Sequence, residues 1–324
     1  MEKGGEYMKD EALLDEVINI VEYPTVLIGD IDHKYLSLPK EVIVTPMKDH
    51  QRYFPMLDEN KNLMPYFMLV RNGDDNHSEN VVEGNKKVLV ARLEDAKFFY
   101  EQDTNKSLEE YVEELKNLTF FEGLGSMYQK TQRLVELTEK FQQELNLGDD
   151  IKEDLARASY LAKADLVTKM VIEFTELQGT MGKIYAKSSG EDQRVANAIE
   201  EQYKPKSAND DLPESMVGIV LSLADKMDSI VGLYAIEKYV TGSQDPFALR
   251  RAALGLINII LANNINVDLK ALVNDALIVY TEKNGLPFDY DQTMQKTLDF
   301  IKDRLKNMSV SYTHLRAHET PEHL

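Results

Sequence analysis

The chain has 324 residues, 43% of them hydrophobic, which is enough apolar surface for well-formed cores at a length that accommodates two or three domains. Its 56 acidic against 37 basic residues leave a net charge of −19, the wrong sign for generic attraction to a phosphate backbone, so any nucleic-acid contact has to come from local basic patches or a partner chain. The absence of cysteine excludes disulfides and thiolate metal sites and fits a reducing compartment, with cytoplasm as the default. The longest apolar run, AALGLINIILA at 252–262, contains Asn258 and falls short of the roughly 20 residues of a bilayer crossing, so no membrane span is expected. No secretory signal is expected in MEKGGEYMKDEALLDEV either.

Residues 1–90 predict mixed structure. EVINIVEY starts with helical periodicity and leads into the β-branched strand TVLIGDI, and EVIVTPM predicts a second short strand from its Val/Ile content. RYFPMLDENKNLMPYFMLVRNG presents two aromatic-rich runs around a polar turn at 58–62, which predicts a hairpin, with Pro55 and Pro65 near strand ends where a missing amide is tolerated. From about Lys87 the pattern becomes helical: Val90, Leu93, Lys97 and Tyr100 share one side, with Ala96 and Phe99 adjoining. Ser107 and Glu110 have the spacing of a capping box.

Further helices follow in SMYQKTQRLVELTEKFQQEL, DIKEDLARASYLAKADLVTKMVIEF, EDQRVANAIEEQY and SMVGIVLSLADKMDSIVGLYAI, joined by segments rich in turn residues. PFALRRAALGLINIILA, entered through Asp245 and Pro246, opens a third region of helices. The end, SVSYTHLRAHETPEHL, breaks the helical pattern and holds three of the six histidines; it is read as a non-native tail. The expected architecture is α+β: a mixed α/β module at 1–90, a helical domain at 91–240, a further helical segment at 241–308 and the tail at 309–324.

Two carboxylates lie in apolar helical contexts, Asp165 in YLAKADLVTKM and Asp225 in SLADKMDSI, and an ionised carboxylate there is costly unless paired. Asp165 follows Leu161 by four residues and Ala158 by seven, and Asp225 shares a helical face with Leu221. This spacing resembles that of the His-Asp superfamily of metal-dependent phosphohydrolases, in which histidines and aspartates bring a divalent ion to activate water. Here the paired position is Ala164, and none of the histidines, His33, His50, His77, His314, His318 and His323, falls between residues 78 and 313. The expectation is a structural remnant, with Asp165 and Asp225 held by Lys163, Lys226 or backbone amides, and with no metal and no catalytic residue.

EVIVTPMKDHQRYFPMLDENKNLMPYFMLVRNG, FFEGLGSMYQKTQRLVEL, LAKADLVTKMVIEFTELQGTMGKIYA, LADKMDSIVGLYAI and TGSQDPFALRRAALGLINII resemble, in order, successive blocks of the β subunit of bacterial tetrameric glycyl-tRNA synthetase, over about residues 17–308. HQRYFP, ELQGTMG and GSQDPFALRRAALG are the most distinctive. The resemblance implies a central portion of a chain about twice this long, with an end of a B3/B4-like module followed by a degenerate His-Asp-type (HD) domain. It also implies cytoplasmic location and partnership with tRNA(Gly) and with an α subunit that holds the glycine and ATP chemistry. By this resemblance ATP and Mg²⁺ belong to that partner, no cofactor belongs to this fragment, and the isolated fragment is inactive as a ligase.

Lys48, His50 and Arg52 in KDHQRYF combine bases and an imidazole with two aromatics, a set suited to gripping phosphates and stacking on unpaired bases, although Tyr53 and Phe54 serve equally well as core. Lys130 and Arg133 lie three apart on one helical side and are a second candidate tRNA contact. Gly179 and Gly182 in ELQGTMG suggest a tight turn and close packing, because the lysine and hydroxyl of a phosphate-binding loop are missing. Three hypotheses stand: a noncatalytic tRNA-recognition and assembly region of the ligase, a His-Asp-type nucleotide phosphohydrolase, and a purely structural interaction module.

Overall fold

A computed structural model describes residues 4–207, 210–240 and 245–318, the side chains of 283, 284 and 309–318 excepted. In chain order the main elements are β1 (Glu6–Tyr7), α1 (Glu11–Ile20), β2 (Pro24–Asp30), α2 (Lys40–Thr45), β3 (Phe54–Leu57), β4 (Leu63–Asn72) and α3 (Ser78–Asp103). Then come α4 (Leu108–Val112), β5 (Thr119–Phe121), β6 (Gly125–Ser126), α5 (Met127–Glu144), α6 (Lys152–Leu161), α7 (Lys169–Glu173), α8 (Thr180–Ser188) and α9 (Gln193–Glu201). The chain closes with α10 (Met216–Ala235), α11 (Leu249–Ala262), α12 (Leu269–Asn284) and α13 (Tyr290–His318). The α+β expectation is met: one small antiparallel sheet sits in the N-terminal part, and helices make up most of the remainder.

The chain divides into two compact units, residues 1–105 with 168–177, and residues 106–167 with 178–324. The first reaches well past residue 90, because α3 is one uninterrupted 26-residue helix that begins at Ser78, ahead of the expected start, and stays with the sheet. Residues 168–177 join this unit because Asp103, at the end of α3, accepts the backbone amides of Lys169 and Met170 at 2.9 Å each, which satisfies free donors in the first turn of α7. The second unit includes described residues on both sides of 240.

In the first unit the sheet order is β1-β3-β4-β2, all antiparallel. The hairpin of β3 and β4 forms as expected, with Asp58 accepting the amides of Asn60 and Asn62 at 2.8 Å to hold the turn. Leu13 and Val17 of α1 pack with Phe54 and Met68 of the hairpin into one core. EVIVTPM is helical, where a strand was expected. Its Val42, Ile43 and Met47 recur at helical spacing and are all almost fully buried, so the face they form outweighs their β-branched propensity.

The second unit is built around α10, which is buried on nearly every side and packs against α5, α9, α11 and α12. The capping box at α4 is present, the amide of Ser107 donating to Glu110 Oε2 at 2.7 Å. Helix α11 begins at Leu249, three residues after Pro246, so Pro246 does not occupy the first helical position. Asp245 instead accepts the backbone amides of Arg250 and Arg251 at 3.1 and 3.4 Å. The helical pattern, expected to end at Ser309, continues in the backbone to His318, and residues 319–324 lie outside the described residues.

Candidate functional site

The basic loop of the first unit leaves α2 through a helical turn at Pro46–His50. Lys48 forms an ion pair with Asp10, which also caps α1 by accepting the amide of Leu13. His50 stacks on Phe174, ring centroids 5.5 Å apart, and its Nε2 lies 3.6 Å from Glu176. Arg52 has the left-handed φ of +56°, rare for a side chain with a Cβ, and its guanidinium donates to Glu16 Oε1 and to the Asp49 carbonyl, both at 2.7 Å. Tyr53 and Phe54 are core residues, Tyr53 stacking on Phe67. The loop therefore presents three part-exposed cationic or titratable groups, while its aromatics are taken up by packing.

Lys130 and Arg133 are not on a solvated helix face. Both lie on α5 and point at α10, with side chains only 2% and 0% exposed, so neither can reach an RNA phosphate. Their three-residue spacing matches that of Asp225 and Asp228 on α10. Lys130 Nζ donates to Asp228 Oδ2 at 2.8 Å and to Ser229 Oγ at 2.9 Å, and lies 3.1 Å from Asp225 Oδ1. Arg133 donates to both oxygens of Asp228, at 2.6 and 3.2 Å, and lies over the ring of Tyr280, whose hydroxyl donates to the Asp228 carbonyl at 3.0 Å. Burial alone would raise the Asp228 carboxyl; Arg133 and then Lys130 overcome it and hold it below the usual carboxylate range.

Asp225 is clamped from a second side by Lys163, with Nζ 3.0 Å from Oδ2. Burial opposes its ionisation, but Lys130, Lys163 and Lys226 together hold its carboxyl far below the ordinary value. Lys163 is lowered, by burial ahead of its attraction to Asp225. Lys226 is pushed down to about 8, again mainly by burial, while its Nζ donates to Ser222 Oγ at 2.7 Å and the Lys204 carbonyl at 2.8 Å.

Asp165 occupies a separate 3₁₀ turn at Ala164–Val167; α6 ends at Leu161, so Asp165 does not continue that helix's face. It is fully buried all the same, and accepts the Gly179 amide at 2.6 Å. Burial pushes its carboxyl up to about 6 despite that bond. The two glycines of ELQGTMG make this arrangement fit. Gly179 has φ +84°, and a Cβ there would meet Tyr203 at 2.6 Å. A Cβ on Gly182 would meet Ile199 at 2.7 Å and Asp165 Oδ2 at 3.2 Å. Tight turning and close packing is their role, as expected.

The donor set does not fit the divalent ion of the His-Asp superfamily. Both oxygens of Asp225 already face ammonium groups, which would repel a second cation, and no imidazole is available from the surrounding helices. Among the described residues no three His, Cys, Asp or Glu side chains are grouped so as to hold a metal. Sequence reasoning missed Asp228, which pairs with both Lys130 and Arg133. The available signal was the matching three-residue spacing of the acids in ADKMD and the bases in YQKTQRL.

No helix among the described residues is long and apolar enough to cross a membrane. The sequence model of the family described as glycyl-tRNA synthetase beta subunit matches residues 1–318. Among curated relatives, the glycine–tRNA ligase beta subunit of Clostridioides difficile (strain 630) is 51% identical over 305 residues, 94% of this chain and 44% of that protein. That of Desulforamulus reducens is 47% identical over 94% of the chain and 44% of its own length, and that of Ligilactobacillus salivarius 48% identical over 91% and 43%. The chain thus spans less than half the length of these relatives. On a match that runs through both units, the chain belongs to the glycyl-tRNA synthetase beta subunit family.

Proposed function

We propose that this chain is a noncatalytic portion of the β subunit of a glycine–tRNA ligase, supporting recognition of tRNA(Gly) and assembly with an α subunit in the cytoplasm. In that assembly the α subunit joins glycine to tRNA at the expense of ATP with Mg²⁺, and this chain contributes no cofactor site. The observation that carries the reading is the family match through residues 1–318. The clamped Asp225 supports the noncatalytic part, since both its oxygens face lysines and it is not open to a metal as a partner of Asp165. No observation favours nucleotide hydrolysis.

With a net charge of −19, RNA contact has to be local, and the part-exposed Lys48, His50 and Arg52 remain suited to it once Lys130 and Arg133 are buried. The test is a gel shift of tRNA(Gly) with this chain, alone and with the α subunit added. Salt-sensitive binding that strengthens with α, and no glycylation by the chain alone, is expected. No shift in either mixture would instead favour a purely structural module.

A further inference from the structure

A cavity of about 310 Å³ opens in the first unit, between α1, the loop before β3, β4 and the start of α3. This is the lower end of the roughly 300–1,000 Å³ of small-ligand sites, room for one nucleotide-sized group and not for a peptide segment. Part of its lining is apolar, with Val17, Leu69 and Val70 among the residues, and its polar lining includes Arg52, Arg71 and Asn85. We propose that this cavity takes an unpaired nucleotide of RNA, the phosphate held by the guanidinium groups of Arg52 and Arg71 and the base set against the apolar part of the lining. The proposal rests on the RNA-recognition reading above and assigns it a place.

Three features support it. Two guanidinium groups on one cavity favour an oxyanion, for which their planar forks are shaped. Arg52 already donates to Glu16 and to the Asp49 carbonyl, both at 2.7 Å, and Arg71 donates to the Asn76 carbonyl at 2.6 Å with Asp74 3.7 Å away; both acids are about half exposed, so a phosphate competes with surface ion pairs and need not break the two carbonyl bonds. Arg52 is also held in its left-handed conformation by the helical turn before it, its amide donating to the Lys48 carbonyl at 3.2 Å, and such backbone strain clusters at ligand clamps. Asn85 is fixed in place, its Oδ1 accepting from Tyr53 at 2.5 Å and its Nδ2 donating to the Val81 carbonyl at 2.7 Å, so the wall it forms is preorganised.

The test uses the 324-residue chain and a fluorescein-labelled, unstructured RNA hexamer, with binding read by anisotropy. The proposal expects the Arg52→Gln/Arg71→Gln double variant to bind about tenfold more weakly or worse, and Lys61→Gln, on an exposed turn away from the cavity, to bind as the parent does. If the double variant melts early, Arg71→Gln alone carries the comparison, with a loss of about threefold expected. Equal binding by folded variants, or a chain that shifts tRNA yet ignores the hexamer, overturns the pocket and leaves the tRNA reading standing. Failure to bind either RNA, with or without α, removes both. Displacement of the hexamer by nucleoside monophosphates at matching concentrations would assign the cavity to a free nucleotide and overturn the RNA assignment.

Discussion

Lys48, His50 and Arg52 in the first unit each meet a single carboxylate side chain at the surface, whereas Lys130 and Arg133 in the second meet several acceptors and almost no water. The residue types are alike, and the surroundings make them different objects. An exposed pair contributes about 0–1 kcal/mol and exchanges its partner readily, which suits a group that meets ligands. A buried charge that loses its partner costs about 3–5 kcal/mol, so the same pairing inside a helical core fixes which helix faces which. The acids follow the same rule. Asp228 and Asp225 are kept ionised by cations, while Asp165, held mainly by a backbone amide, is pushed toward its neutral form.

The largest effect expected is in the second unit. Asp228→Ala leaves Arg133 and Lys130 buried without their main counter-charge and should lower stability by about 3–5 kcal/mol, read by urea unfolding. A loss below about 1 kcal/mol would put these cations in the same class as Lys48.

Asp165 separates the two kinds of buried acid by pH. Its folded value, about 6, lies above the ordinary 3.8, so the native state binds the proton more tightly and stability falls as pH rises from about 4 to 6. Asp165→Asn lacks this penalty and can still accept the Gly179 amide. It should be more stable than the parent at neutral pH, by about 3 kcal/mol at most, with the gain gone near pH 4. The shift at Asp225 has the opposite sign: its contribution is present above the ordinary carboxylate range and is lost only as pH falls below it. Unfolding curves across pH 4–7 that run parallel for the parent and Asp165→Asn would contradict the assignment.

Gly182→Ala drives a Cβ against Ile199 and Asp165 and should cost about 1–3 kcal/mol, measured as a lowered melting temperature. Smallest of all, Lys48→Ala removes one part-exposed pair and should change stability by less than about 1 kcal/mol. A larger loss would show that the basic loop is braced as the helical core is.

Much of the fold was legible in the sequence because its signals are local. The β3–β4 hairpin follows from two apolar runs around Asp58, the capping box from Ser107 and Glu110, and the turn at Gly179 from two glycines in close succession. EVIVTPM misled because β-branched content and helical spacing pointed in opposite directions, and burial against the rest of its unit decided between them. Lys130 and Arg133 were misplaced for a different reason. Their partner Asp228 is more than ninety residues away, and nothing in the local pattern of α5 distinguishes a solvated pair of bases from a buried one. Lys163 was among the partners the sequence offered for Asp225, since a carboxylate in an Ala- and Leu-rich helix needs a partner and Lys163 stands beside the other aspartate.

Ammonium groups in place of a metal ion are the centre of this account, and anomalous diffraction from crystals grown in Mn²⁺ tests it most directly. The expected map shows no anomalous peak at Asp165 or Asp225, with Lys130 and Lys163 still in contact with Asp225. A strong peak bonded to both carboxylates, with the lysines displaced, would contradict it.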